Sequence, residues 1–235
     1  MKQYLLSVAL VSSIALQSAA QGEKGFVGLS LGPNVPMGNF NSRNVNNGEA
    51  GFARTGGSFD ISAGYKLGGS HFGITAMLRA HSNSYDVQPL VEDLKFQAPQ
   101  VNWNVESSAW RMGGLLLGGF GSIPISEKVY FDARAMVGIV NATSPQINIT
   151  GSDATETFWV KRDARTARSF AYLFGAGFKF DIAPKWYLLT NIDYIGTTVE
   201  FPNIELTSSL GDRQRFGIEQ EMASFNLSVG VALKL

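Results

Sequence analysis

The chain runs to 235 residues with 19 basic and 19 acidic side chains, a balance that leaves no basic footprint for nucleic acid. It holds no cysteine, which excludes disulfides, thiolate metal sites and a cysteine nucleophile, and its 26 glycines follow no G-X-Y period, which excludes a collagen-like chain. The length suits one larger all-β domain or two small ones.

The first segment reads as an address. Lys2, the apolar run "YLLSVALVSSIAL" and the small residues Ser18, Ala19 and Ala20 form a secretory leader over 1–20, so the mature chain is expected to begin at Gln21 and to fold over 21–235. The run is shorter than the ~20 residues that a spanning helix needs. No second long apolar run follows, which excludes a helical membrane protein.

From there the chain alternates. "FVGLSLG" is a first, short strand. "SFDISAGYKL" sets Phe59, Ile61, Ala63 and Tyr65 against Ser58, Asp60, Ser62, Gly64 and Lys66. "HFGITAMLRAH" sets Phe72, Ile74, Ala76 and Leu78 against Gly73, Thr75, Met77, Arg79 and His81. "AWRMGGLLLGGFG" is a less clean fourth strand, read with Trp110 on the apolar face and Arg111 on the polar one. "VYFDARAMVGIV" opposes Phe131, Ala133 and Val137 to Asp132, Arg134 and Met136. "SFAYLFGAGFKFD" opposes Phe170, Tyr172, Phe174 and Phe178 to Leu173, Gly175, Gly177 and Lys179, and "WYLLTNIDYI" opposes Trp186, Leu188 and Ile192 to Leu189, Asn191 and Asp193. The closing "MASFNLSVGVALKL" alternates Phe225, Leu227, Val229, Val231, Leu233 and Leu235 with small or polar residues. A strict period of two is the mark of a strand with unlike faces.

The connections alternate in length. "GGS", "SIPISEK" and "DIAPK" are short, whereas those after the first, third, fifth and seventh strands run to roughly twenty residues or more and are rich in Asn, Ser, Thr, Asp and Gly. Long loops gathered at one end of an up-and-down sheet are the arrangement of a membrane barrel with short periplasmic turns and long outer loops. A soluble lipocalin-like barrel that binds an apolar ligand would alternate in the same way with its faces reversed. Face composition favours the membrane form, because the polar faces are mostly Gly, Ser, Ala, Asp and Asn, with pairable charges at Asp60, Lys66, Arg79, Arg111, Asp132, Arg134, Lys179 and Asp193 that suit a crowded lumen. The terminal strand then faces lipid through Phe225, Leu227, Val229, Val231, Leu233 and Leu235. The expected fold is an all-β, eight-stranded antiparallel up-and-down transmembrane β-barrel.

The turn "LGGSHF" fixes a register. Gly69-Ser70 as the centre of a two-residue primed turn places Gly68 opposite His71, Ser58 opposite His81 and Asp60 opposite Arg79, a cross-strand ion pair in the lumen.

With these strands in view, "GLSLGPNVPMGNF" resembles the opening strand and first loop, and "FNLSVGVALKL" the terminal strand, of the small outer-membrane β-barrel family common in Bacteroidota, of OmpA- or OmpX-like architecture and including PorT-like proteins. The resemblance implies the bacterial outer membrane with periplasmic termini, lipid as a partner, and a C-terminal strand read by the barrel-insertion machinery. One departure is Leu235, where such strands usually finish on an aromatic residue.

An eight-stranded barrel is filled by its own side chains, so the expected role is non-porin, structural or surface-binding through the outer loops, where Arg43, Lys95, Lys161, Arg162 and Arg213 should meet protease. The enzymatic alternative is a lipid hydrolase or acyltransferase with His81 as base to Ser82 or Ser84, oriented by Asp86. Against it, neighbours on a strand point to opposite faces. His71 and His81, the only histidines, lie at opposite strand ends, so no shared metal and no cofactor is expected.

Overall fold

A computed structural model describes residues 24–68 and 70–235; the expected leader over 1–20 lies outside the described residues. The chain forms β1 (Gly25–Met37), β2 (Gly56–Lys66), β3 (Phe72–Asn83), α1 (Gln88–Gln97), β4 (Asn102–Ser107), β5 (Trp110–Ser126), β6 (Val129–Thr143), β7 (Ile147–Ser152), β8 (Thr157–Arg162), β9 (Thr166–Ala183), β10 (Trp186–Ser208) and β11 (Arg213–Lys234). Eight of the strands close a ring in the order β11-β1-β2-β3-β5-β6-β9-β10, every pairing is antiparallel, and β10 returns to β11. Each of the eight alternating segments of the sequence falls on one strand of this ring. Closure removes the sheet edge, whose unpaired backbone groups would each cost several kcal/mol, roughly, in lipid. The zipper runs to the last residue, where Lys24 and Leu235 share a backbone hydrogen bond of 3.1 Å.

The register between β2 and β3 pairs Ser58 with His81, Asp60 with Arg79, Ser62 with Met77 and Gly64 with Thr75. The turn that sets it is centred earlier than Gly69-Ser70. Ser70 donates its backbone N–H to the Leu67 carbonyl at 3.3 Å, Gly68 takes φ +62°, and Leu67 bonds to Phe72. The four-residue loop preserves the pairing sum of the two-residue turn, so the register is the same.

The connection after the seventh strand departs from expectation. Instead of a loop of roughly twenty residues, β10 and β11 run on as a paired ribbon from Gly196↔Ala223 to Thr207↔Arg213, joined by residues 209–212. A register shift between Phe201 and Ile204 absorbs Pro202 and Asn203, the latter at φ +56°. A proline and a left-handed asparagine read as a loop in sequence, yet a bulge accommodates both without ending the strand.

Outward positions carry Leu29, Leu31, Phe59, Ile61, Ile74, Leu78, Leu115, Leu117, Val137, Ile139, Phe174, Ile192, Leu227, Val229 and Val231, all exposed. Leu233 and Leu235, at the foot of the terminal strand, are half-buried. On β9 this face is bounded by Phe170 and Phe180. Ten residues at ~3.3 Å each, tilted by ~40°, span about 25 Å of height, the thickness of an outer-membrane apolar band. A soluble barrel would carry its polar face here, so the lipocalin-like alternative fails on the same row of residues.

Candidate functional site

Buried side chains, charged, aromatic and aliphatic, occupy the lumen at several levels. At its centre Arg79 donates Nε and Nη2 to the two carboxylate oxygens of Asp60 at 2.6 and 2.7 Å, and Nη2 also reaches Asp193 at 2.6 Å. Arg134 donates Nε and Nη2 to the same Asp193 at 2.7 to 2.9 Å. Two cations and two anions thus form a neutral chain across the barrel. Arg134 and Asp193 lie on β6 and β10, with β9 between them, and the residue at the crossing is Gly175, paired with both. A methyl group there would overlap the Asp193 carboxylate, so the bare α-carbon is what lets the guanidinium pass.

Towards the short-turn end, Lys179 pairs with Asp132 at 3.1 Å inside a ring of aromatics. Phe26, Phe120, Tyr130 and Tyr187 stand 5.1, 5.6, 5.9 and 5.5 Å from its ammonium. Lys66 is half-buried and lies over Tyr130 at 5.7 Å. Towards the long-loop end the lumen divides. The β5-β6-β9-β10 side is apolar, with Met112, Leu116, Met136, Val140, Leu173, Ile195 and Val199 in one cluster. The β11-β1-β2-β3 side is polar, where Asn34 donates to Ser224 at 2.9 Å, Asn83 to the Asn34 carbonyl at 3.2 Å, and Asn226 to Ser58.

Two expectations about β5 are corrected. Trp110 is buried, not on the outward face, and Arg111 is exposed, not a lumen charge. β5 is apolar on both faces because half of the upper lumen is itself apolar, so alternation does not reveal which side is which. Trp110 anchors the first connection, donating its indole N–H to the Gly51 carbonyl at 2.8 Å and packing on Phe40 and Phe201. Arg111 sits level with Ser82 and Thr143 at the upper limit of the apolar band, with exposed Arg168 one level below. An outward arginine costs about 0 to 1 kcal/mol at an interface but about 2 to 4 at the midplane, which explains why both stand there.

The candidate catalytic set is not brought together. His81 is buried in the lumen and its two ring nitrogens have no hydrogen-bond partner, whereas Ser82 and Ser84 are exposed. Asp86 is engaged elsewhere, in a 3.0 Å ion pair with Arg43 and in accepting the Gln88 N–H of α1 at 3.3 Å. Among the described residues no group of three or more His, Cys, Asp or Glu could hold a metal ion.

At the long-loop end the four connections build a cap. β4, β7 and β8 form a small sheet that joins the wall where β8 pairs with β10 through Leu206↔Arg162. The first connection folds inward and buries Phe40 and Phe52. Phe52 is held at φ +50°, a conformation that bulky residues rarely adopt, by backbone hydrogen bonds with Ser42 and Asp86 and by its packing on Tyr85. Between the connections lies a cavity of about 290 Å³ lined by all four, including Val45, Leu90, Ile149, Val160, Leu206 and Ile218, with Tyr85 and Arg162 also in its wall. Burial pushes the Tyr85 phenol up to about 12, with Arg162 opposing the rise, and burial lowers the pKa of Arg162. No pattern in the sequence signals this cavity, since its walls come from segments far apart in the chain.

Among solved structures, the chain is similar to Ail, the attachment invasion locus protein of Yersinia pestis (10% identity, TM-score 0.45, 92% of this chain and 100% of that one). It is similar to Neisserial surface protein A (11% identity, TM-score 0.46, 90% and 97%). A third is a major outer membrane protein from Thermus thermophilus (11% identity, TM-score 0.48, 92% and 100%). No curated protein matches the sequence. The family model described as the outer membrane protein beta-barrel domain matches residues 6–233, nearly the whole chain, and the protein belongs to that family.

Proposed function

We propose that this outer-membrane barrel is closed to solutes and acts at the cell surface through its cap, with the four long connections outward and both termini periplasmic. One observation carries the reading: buried side chains cross the lumen at three levels, the aromatic ring around Lys179, the Asp60–Arg79–Asp193–Arg134 chain and the Met112–Leu116–Val140 cluster. In a barrel closed in this way the part left to engage a partner is the cap, a sheet-supported surface carrying the exposed apolar side chains Phe96 and Leu210. The reading includes lipid along the apolar band and delivery by an insertion machinery that engages β11. Among the described residues no arrangement of side chains favours the enzymatic alternative.

The test pairs two measurements. Liposomes carrying the folded protein should retain sugars, and on intact cells trypsin should cut at the exposed Lys95 and Arg213 of the cap. Steady large conductance would overturn the closed lumen. Protection of both sites on cells, with cleavage only after lysis, would reverse the orientation.

A further inference from the structure

The cap cavity contains a charge that the protein does not answer. Arg162 stands at the end of β8 with its Nε buried and without a hydrogen-bond partner, and its Nη2 reaches only the Pro145 carbonyl, at 3.4 Å. Among the described residues it forms no ion pair, although Lys161 beside it pairs with Asp163 and Arg43 across the cap pairs with Asp86. The acid lining the cavity, Glu219, is exposed and does not pair with it. Tyr85 is a neutral phenol at physiological pH. Arg162 is half-buried, and a guanidinium partly withdrawn from water with its Nε unanswered carries a cost that an anion would offset.

We propose that the cap cavity binds a single-chain amphiphile with a carboxylate head, the chain lying against Val45, Leu90, Ile149, Val160 and Leu206 and the head paired with Arg162. The planar fork of arginine matches a carboxylate in two parallel hydrogen bonds, and the free Nε is one half of that fork. The volume of about 290 Å³ has room for about ten water-sized groups, which suits a medium-length acyl chain and excludes a whole phospholipid. Most of the lining is aliphatic or aromatic, with polar side chains from Asn47, Tyr85, Arg162, Glu219 and Gln220, a composition that suits an apolar body oriented by a small number of polar groups.

The proposal rests on the cap being the functional surface, and the two fail separately. The experiment titrates octanoate into folded protein in lipid nanodiscs whose Ile, Leu and Val methyl groups are labelled for NMR, with octanol as the uncharged control. Octanoate should move the methyl resonances of Val45, Ile149, Val160 and Leu206, and octanol at equal concentration should not. Arg162→Met should weaken binding about ten- to hundredfold, the worth of a charge-assisted hydrogen-bond pair. Arg162→Lys, which keeps the charge and loses the fork, should bind between the two. The gel shift of the unboiled protein reports that each variant is folded. Equal shifts with octanol, unaltered affinity in Arg162→Met, or shifts confined to outward methyls such as Leu29 and Val229 would each overturn the site. Octanoate failing to bind while trypsin still reaches Lys95 and Arg213 on cells sinks this inference alone. Protection of those sites sinks the surface reading and leaves the cavity's chemistry standing.

Discussion

Arg79 is buried in the lumen and Arg162 is half-buried in the cap, and the surroundings of the two guanidinium groups follow opposite logic. Arg79 meets two carboxylates at 2.6 to 2.7 Å, and one of those carboxylates is shared with a second arginine, so the charges of the lumen chain cancel within it, with Arg79 Nη1 the one guanidinium nitrogen of Arg79 left without a partner. Arg162 meets one carbonyl at 3.4 Å and apolar walls. A closed set of charges holds strands in register and has nothing left for a ligand. An open one holds little together and has one sign of charge still to offer. The lumen is therefore the structural region and the cap the recognition region, a division that composition does not show, since both are built from the same residue types.

The comparison breaks first at Asp193, where the effect should be largest. Asp193→Ala removes the carboxylate that Arg79 and Arg134 share and leaves a buried cation behind, so unfolding from vesicles in urea should lose about 3 to 5 kcal/mol. A loss under about 1 kcal/mol would mean that the lumen is wet enough to solvate the arginines, and the distinction between the regions would fall.

The two arginines can then be opposed directly. Arg79→Met strands Asp60 and leaves Asp193 to Arg134 alone, and should cost about 3 to 5 kcal/mol as well, whereas Arg162→Met replaces an unanswered charge with an apolar chain of similar reach and should leave stability within about 1 kcal/mol of the parent, or above it. The same urea titration reads both. A large loss in Arg162→Met would show that the guanidinium has a structural partner and is not held ready for an anion.

How much of this is legible in the sequence follows from distance along the chain. Asp60 and Arg79 can be paired from sequence because one short turn fixes their register, and nothing between them interrupts the alternation. The extension of that pair to Asp193 and Arg134 joins residues 59 to 114 positions apart, which depends on ring closure and on Gly175 lying at the crossing. The faces of β5 invert on inspection because the upper lumen mixes an apolar half with a polar half, so a strand serving the apolar half has no contrast to display. Pro202 and Asn203 conceal the ribbon that raises one wall of the cap, and the same segment hides Leu206 as a lining residue. Arg162 reads as an accessible loop residue because its burial comes from chain segments around Val45, Tyr85 and Leu206 that no local pattern connects. Periodicity reports the wall of a barrel well; it says little about what the connections make together.

The smallest effect concerns Tyr85, which shares the cavity with Arg162 and so reports whether that region is closed. Its phenol is raised to about 12 because burial disfavours the charged form, while Arg162 pulls it in the opposite sense. A raised folded pKa means that the neutral phenol is the stabilising form: that stabilisation is fully present below the unfolded value of about 10 and is lost as pH rises through about 12. The difference in near-ultraviolet absorbance between the parent and Tyr85→Phe should therefore show a tyrosine ionising late, well after the exposed ones. Arg162→Met removes the nearby cation and should delay it further, and octanoate seated on Arg162 should act in the same direction by neutralising that cation. A Tyr85 that ionises with the exposed tyrosines would mean that water fills the cap, that Arg162 is hydrated as it stands, and that the contrast with Arg79 is one of exposure alone.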